Sequence, residues 1–387
     1  MDLERIIKAA VVLMTCGLVA INGQGAGPGP ERAGSGVSDA RFARLRRGIN
    51  TSHWFAQARE YTKAHLETHT TAADIALIKT LGFDHIRLSV EPAPLFNRAT
   101  PAALNAEYLR YLDDAIQMIL AQNLAVIVDI HPADEFKKEI LSTDDRVEAF
   151  AKFWRALAQH LAGMDPERVF LEVINEPLVQ EGDRWRAILT RLVAAIRDGA
   201  PRHTIIVSGH RWSSLPEFLA LQPVADRNVV YNFHMYDPHT FTHQGATWGA
   251  DFWPYLKGLP YPSSPEAVAK LVPSIENKTA QGALIRYGEE RWNAARIEAE
   301  VAKAAAWGAK YGVRVTCNEF GVYRKYAPPE ARAAWIRDVR TALEKHGIGW
   351  AMWDYAGGFG VVVKQDGRPV ADEATVAALG LKRSAER

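Results

Sequence analysis

Eight short apolar runs, each separated from the next by a longer amphipathic stretch, constrain this chain more than any other feature. The runs fall at 47–50, 85–89, 125–130, 170–174, 204–208, 229–233, 313–317 and 348–352. They are short, rich in Val and Ile, and end in polar or Pro-containing residues, which is the pattern of buried parallel strands. Between them lie helical stripes such as Leu109, Leu112, Ile116, Ile119 and Leu120, or Trp185, Ile188, Leu189, Leu192 and Ile196. Their three- and four-residue spacing gives each helix one core-facing side. Strand–helix alternation repeated eight times predicts an α/β fold, a closed (β/α)8 TIM barrel with its active site at the strand exits. The alternative is an open doubly wound sheet, but the first strand is not followed by the Gly-rich phosphate turn such sheets use.

The remaining segments set the domain limits. Residues 1–22 carry Arg5 and Lys8 ahead of an apolar run that ends at Ile21, the pattern of a cleaved signal peptide and too short to span a bilayer comfortably. Residues 23–40 are Gly, Pro, Ser and Ala-rich and read as a flexible linker. The barrel is predicted over 41–381 as a single domain. One connection is oversized: 237–289, after the sixth strand, where Pro238, Pro254, Pro260, Pro262 and Pro265 interrupt helix formation. Thr15 before Cys16 departs from a lipobox, so the expected location is secreted or periplasmic without lipid attachment. Cleavage would leave Cys317 as the one remaining cysteine, and no intramolecular disulfide.

The formal charge is +1, and Asp2 and Glu4 balance Arg5 and Lys8, so export leaves it unchanged. A near-neutral chain offers no dominant basic face for nucleic acid or anionic membrane. No His-Glu-x-x-His or Cys-x-x-Cys motif occurs among the 12 histidines and 2 cysteines, so no metal and no cofactor is expected. A serine nucleophile elbow is also missing, since Ile206-Val207-Ser208-Gly209-His210 lacks the flanking glycines. On that charge balance the expected partner is uncharged or only locally charged.

Two strands deliver a carboxylate to their exits. Phe170-Leu171-Glu172-Val173-Ile174-Asn175-Glu176-Pro177 ends in an Asn-Glu pair capped by proline, and Val313-Arg314-Val315-Thr316-Cys317-Asn318-Glu319-Phe320-Gly321 carries the second. Retaining glycoside hydrolysis needs such a pair at roughly 5–5.5 Å, and inversion needs roughly 6.5–9.5 Å. Sequence spacing leaves that distance open. His131 and His234 sit at further strand exits, where either a sugar-binding or a structural role fits. Trp54, Trp212, Trp248 and Trp253 are each candidates for a sugar-stacking platform or for packing, whereas Trp154, Trp185 and Trp335 lie on helical stripes and are expected in the core.

Taken in order, these segments resemble glycoside hydrolase family five, the cellulase-A family of retaining barrels, over about 46–360. Arg47-Gly48-Ile49-Asn50 resembles its first strand and His85-Ile86-Arg87-Leu88 its second. Asp129-Ile130-His131 resembles the third, Asn175-Glu176-Pro177 the fourth-strand site and His234-Met235-Tyr236 the sixth. Glu319-Phe320-Gly321 resembles the seventh-strand site and Trp350-Ala351-Met352-Trp353 the eighth. The resemblance implies Glu176 as general acid/base and Glu319 as nucleophile. It also implies Arg87, His131, Asn175, His234, Tyr236 and Trp353 as residues that bind substrate or hold the carboxylates. It implies a retaining, endo-acting β-glycanase on β-1,4-glucan, a monomer whose partner is a β-linked oligo- or polysaccharide, with a β-mannanase or another β-glucanase or β-glucosidase as the second choice. Pro132 departs from the family pattern, where a second histidine or another polar residue is common, and this bears on recognition of the glycone. A barrel that binds glycans without turnover is the rival from another class, and the retention of both glutamates with Arg87, Asn175 and Tyr236 argues against it.

Overall fold

The computed structural model describes residues 36–382. The signal-peptide reading of 1–22 lies outside them, as does the linker reading up to residue 35. The eight strands are β1 Arg47–Phe55, β2 His85–Val90, β3 Ala125–Ile130, β4 Val169–Glu172, β5 Thr204–Ser208, β6 Val229–Met235, β7 Arg314–Phe320 and β8 Gly349–Met352. All neighbours pair in parallel and β8 closes on β1, so the sheet is a closed barrel and the open-sheet alternative is excluded.

Burial on both faces explains why the strands read as continuous apolar runs. Side chains still alternate. Val126, Val128 and Ile130 join the large core beneath the helices, while Ala125 and Ile127 pack with Phe170, Ile206 and Val230 in a separate inner cluster. Higher in the interior the apolar residues give way to Asn50, Arg87, Glu172, Asn232 and Asn318, all buried. The candidate site rests on this polar layer.

The helices form where sequence supplied caps as well as stripes. Asn105 accepts from the backbone of Glu107 and Tyr108 at the start of Ala106–Ala121, and Thr71 with Asp74 forms a capping box on Ala72–Leu81. The three helical tryptophans are core, as their spacing predicts, and each also fixes a strand exit. Trp154 Nε1 donates to Val173 O at 2.8 Å, Trp185 to Ser208 O at 2.9 Å and Trp335 to Asp237 O at 3.2 Å.

The ordered part of the barrel begins before residue 41. Ser38 caps a short helix at Asp39–Phe42, the Gly36 amide donates to Arg227 O at 2.8 Å, and Val37 with Leu45 packs into the inner apolar cluster. The segment after β6 is built rather than loose. It contains a helix at Lys278–Glu289, and Phe241, Leu256, Leu259 and Leu284 within it are all fully buried. A small hairpin, β9 Val362–Gln365 with β10 Arg368–Ala371, follows the barrel. No helix among the described residues is long and apolar enough to cross a membrane.

Candidate active site

Arg87 is the centre of the site. It projects from β2 into the polar layer with no solvent access. Its Nε and Nη2 reach the two oxygens of Glu172, both at 2.9 Å, and Nη1 bonds Asn50 Oδ1 at 2.9 Å. Nη2 also meets Asn175 Oδ1 and Asp129 Oδ2, both at 3.0 Å, and Nη1 contacts Glu319 Oε1 at 2.6 Å. Burial works against the guanidinium charge, but Asp129, Glu172 and Glu319 outweigh it and hold its pKa well above the ordinary value. Arg87 therefore orients carboxylates and does not line the cleft.

Glu319 is fixed from two sides, since Tyr236 donates its hydroxyl to Oε2 at 2.9 Å. Glu176, at the β4 exit, is held more lightly. His234 Nδ1 lies 3.0 Å from Glu176 Oε1 and 3.6 Å from Glu319 Oε2. One atom from each of Glu176, His234 and Glu319 falls within a mutual 4.8 Å. That spacing would also suit a cation, but His234 already bonds Glu176, and Glu319 is held by Arg87 and Tyr236.

Burial dominates the remaining ionisable groups. It lowers His131 to about 3 and His234 to about 4, against the pull of Glu319, so both imidazoles are neutral near neutral pH. Burial raises Asp129 to about 6 despite Arg87, and it raises Tyr236, next to Glu319, well above its ordinary range. Tyr236 thus remains a hydrogen-bond donor. His131 Nδ1 pairs with Asp129 at 2.8 Å while Nε2 faces Asn175 Nδ2 at 3.1 Å, and the ring stacks on Trp353 at 5.4 Å with an 18° interplanar angle. Pro132 lines the cleft beside it, so the polar function expected there is taken by His131, Asn175 and Gln57.

These groups open into a cleft of about 1180 Å³, above the roughly 300–1,000 Å³ of small-ligand pockets. Glu176, Glu319, His131, Asn175, His234, Tyr236 and Trp353 all line it. Trp212 and Trp248 line its rim and are the tryptophans left exposed among the described residues, at 51% and 49%. Trp253 also lines it, stacked on His243 at 4.7 Å. The segment after β6 is thus an aromatic wall of the cleft. Trp54 is a correction: it is 1% exposed, donates Nε1 to Leu66 O at 2.8 Å, and belongs to the core. Of the two roles open to Trp54, packing is the one it takes.

Several residues escaped the sequence reading. Glu172 accepts both Arg87 donors, together with Asn232 Nδ2 at 3.1 Å and Asn318 Nδ2 at 3.0 Å. A glutamate in the middle of Phe-Leu-Glu-Val-Ile must be paired if that run is buried, and this signal was available. Glu91 and Lys137 line the cleft from loop and helix positions that carry no such pattern.

A family model, Cellulase (glycosyl hydrolase family 5), matches residues 43–358. The chain belongs to glycosyl hydrolase family 5. As a family 5 member it is a glycosidase. It is similar to Endoglucanase C of Acetivibrio thermocellus, 28% identical over 332 residues, covering 84% of this chain and 95% of that one. It is also similar to Cellodextrinase A of Ruminococcus flavefaciens, 25% identical over 311 residues, covering 78% and 83% respectively. Among solved structures, the endoglucanase Cel5A of Thermotoga maritima superposes with a TM-score of 0.71 at 25% identity, covering 88% of this chain and 98% of that one. The family 5 match ends just past β8, at the glycines beside Trp353.

Proposed function

We propose that this chain is a retaining endo-β-1,4-glucanase in which Glu176 is the general acid/base and Glu319 the nucleophile. The observation that carries this reading is the asymmetric support of two carboxylates whose atoms approach within 4.8 Å. Arg87 and Tyr236 each donate to one oxygen of Glu319 and fix its carboxyl in place. Glu176 is more accessible, with 23% of its side chain exposed against 5% for Glu319, and it contacts a neutral histidine instead of a cation. So close an approach favours retention over the roughly 6.5–9.5 Å separation of an inverting pair.

In the first step a Glu319 oxygen bonds the anomeric carbon as the glycosidic C–O bond breaks, and the Glu176 proton passes to the departing oxygen. In the second, Glu176 takes a proton from water, the water oxygen bonds the anomeric carbon, and Glu319 leaves as carboxylate. Asn175, aligned by Arg87 and His131, can meet the 2-hydroxyl, whose hydrogen bond strengthens in the transition state. Trp353, Trp212 and Trp248 offer flat faces for successive sugar rings. The names of the endoglucanase relatives favour β-1,4-glucan. The N-terminal pattern favours export ahead of activity, which N-terminal sequencing of exported protein checks.

Proton NMR of hydrolysis of a β-linked oligosaccharide tests the chemistry: the β-anomer should appear first, and a 2-fluoro glycoside with a good leaving group should label Glu319. Initial α-anomer would mean inversion. A panel of soluble β-1,4-glucan, mixed-linkage β-glucan and β-mannan tests the substrate, and fastest release from mannan would overturn the glucan assignment alone.

A further inference from the structure

The backbone of Glu176 needs outside support. Its φ is 45°, in the left-handed region few non-glycine residues enter, and Pro177 behind it disfavours helical conformations and pushes it toward an extended one. A residue so placed is strained and persists only where its surroundings impose it. Up to Asn175 the surroundings are the sheet. The Val173 amide donates to Ile206 O at 3.0 Å and the Asn175 amide to Ile130 O at 2.7 Å. At Glu176 the contact changes, and its carbonyl accepts from Lys137 Nζ at 3.4 Å.

Lys137 stands on the helix Asp134–Ile140 that follows β3. Its side chain is 4% exposed, and its ion-pair partner is Asp134, at 3.2 Å and 56% exposed. An ammonium is expensive to bury, and a methionine would fill much the same space without that cost. Besides meeting Asp134 and the nearby charges of Asp129 and Glu91, the ammonium grips the Glu176 carbonyl, the one hydrogen bond it makes to the left-handed turn.

We propose that Lys137 is a positioning residue for Glu176, holding the left-handed turn that brings the Glu176 carboxyl against His234. The proposal rests on the reading of Glu176 as acid/base. Glu319 is held separately by Arg87 and Tyr236, so loss of Lys137 should impair proton delivery and leave attack intact. The defect should then scale with how much the leaving group needs a proton.

The test compares Lys137→Met and Lys137→Arg with the unaltered chain. One substrate is the oligosaccharide released fastest in the panel above, and the other is a 2,4-dinitrophenyl glycoside of the same sugar. Lys137→Met should lose roughly 100-fold in kcat/KM on the oligosaccharide, the scale of a 1 Å misplacement, and about 3-fold or less in kcat/KM, which reports the first step alone, on the dinitrophenyl glycoside. Lys137→Arg should restore most of the loss. Equal loss on both substrates, or none on either, would overturn the proposal. If Lys137→Met fails to fold, Lys137→Gln is read by the same two outcomes. Glu176→Gln, measured in parallel, separates the two ideas. If it shows no dependence on leaving group, the acid/base reading itself fails. If it shows that dependence and the Lys137 variants do not, only the role of Lys137 falls.

Discussion

Glu172→Gln removes one charge and almost no volume, and it isolates what the polar layer contributes. Glu172 accepts four hydrogen bonds, two from Arg87, one from Asn232 and one from Asn318, evenly split between its oxygens. A glutamine keeps one oxygen and its two bonds. Its amide nitrogen then faces two donors, so two charge-assisted or buried bonds are lost and two donors are left buried without acceptors. At about 1.5–3 kcal/mol per bond to a charged group, the loss is on the order of 4 kcal/mol, in line with the roughly 3–5 kcal/mol for breaking a buried ion pair. For a chain of 387 residues that corresponds to a fall in Tm of roughly 5 °C. Arg87 would be free to turn, and Glu319 with it, so kcat should fall roughly 10-fold. Differential scanning calorimetry and steady-state kinetics on one preparation measure both. A Tm within about 1 °C of the parent, with unchanged kcat, would refute the claim that this network positions Glu319.

Three further outcomes follow from the geometry. Burial lowers His85 to about 3 in the folded chain, so below its ordinary 6.5 the unfolded chain binds the extra proton and stability falls as pH drops toward 3, by about 2 kcal/mol at pH 5. Asp129, raised to about 6, works the other way, so the informative measurement is the difference in pH slope between the parent and His85→Gln in urea unfolding; identical slopes would remove His85 as a cause. Gly321→Ala would place a Cβ 2.3 Å from the Trp353 carbonyl and should cost about 1–3 kcal/mol in thermal unfolding while raising KM, because the β8 exit must move. Trp212→Ala and Trp248→Ala should each raise KM on soluble polymer, by about 1–2 kcal/mol of lost contact, with little change in kcat on a short aryl glycoside; unchanged KM would make the exposed ring a bystander.

The barrel was legible because strands buried on both faces leave unbroken apolar runs, and eight such runs have one economical closure. Strand ends were less legible. β6 continues to Met235 and β7 to Phe320, past the apolar runs at 229–233 and 313–317, with an irregular register at Phe233 and His234. β4 stops at Glu172, two residues before its apolar run does. Residues at strand exits could be placed because position along a strand fixes the rim they reach. Exposure could not be read the same way: Trp54 and Trp212 both follow strand-like runs, yet one is buried and the other half in solvent. Lys137 and Glu91 were invisible because their roles depend on which loops the closed barrel brings together.

The polar layer ties fold and chemistry to the same atoms. Asn50 on β1, Asp129 on β3, Glu172 and Asn175 at β4, and Glu319 on β7 all converge on the Arg87 guanidinium, while Asn232 on β6 and Asn318 on β7 complete Glu172. Closing the barrel brings these strands together, and one buried cation draws their carboxylates to its centre. Glu319 is the carboxylate of that set that also lines the cleft. Its position is therefore a product of closing the barrel, whereas Glu176 lies outside the set and is held by His234 and Lys137. Substitutions in the layer should lower stability and attack together, and substitutions around Glu176 should separate them.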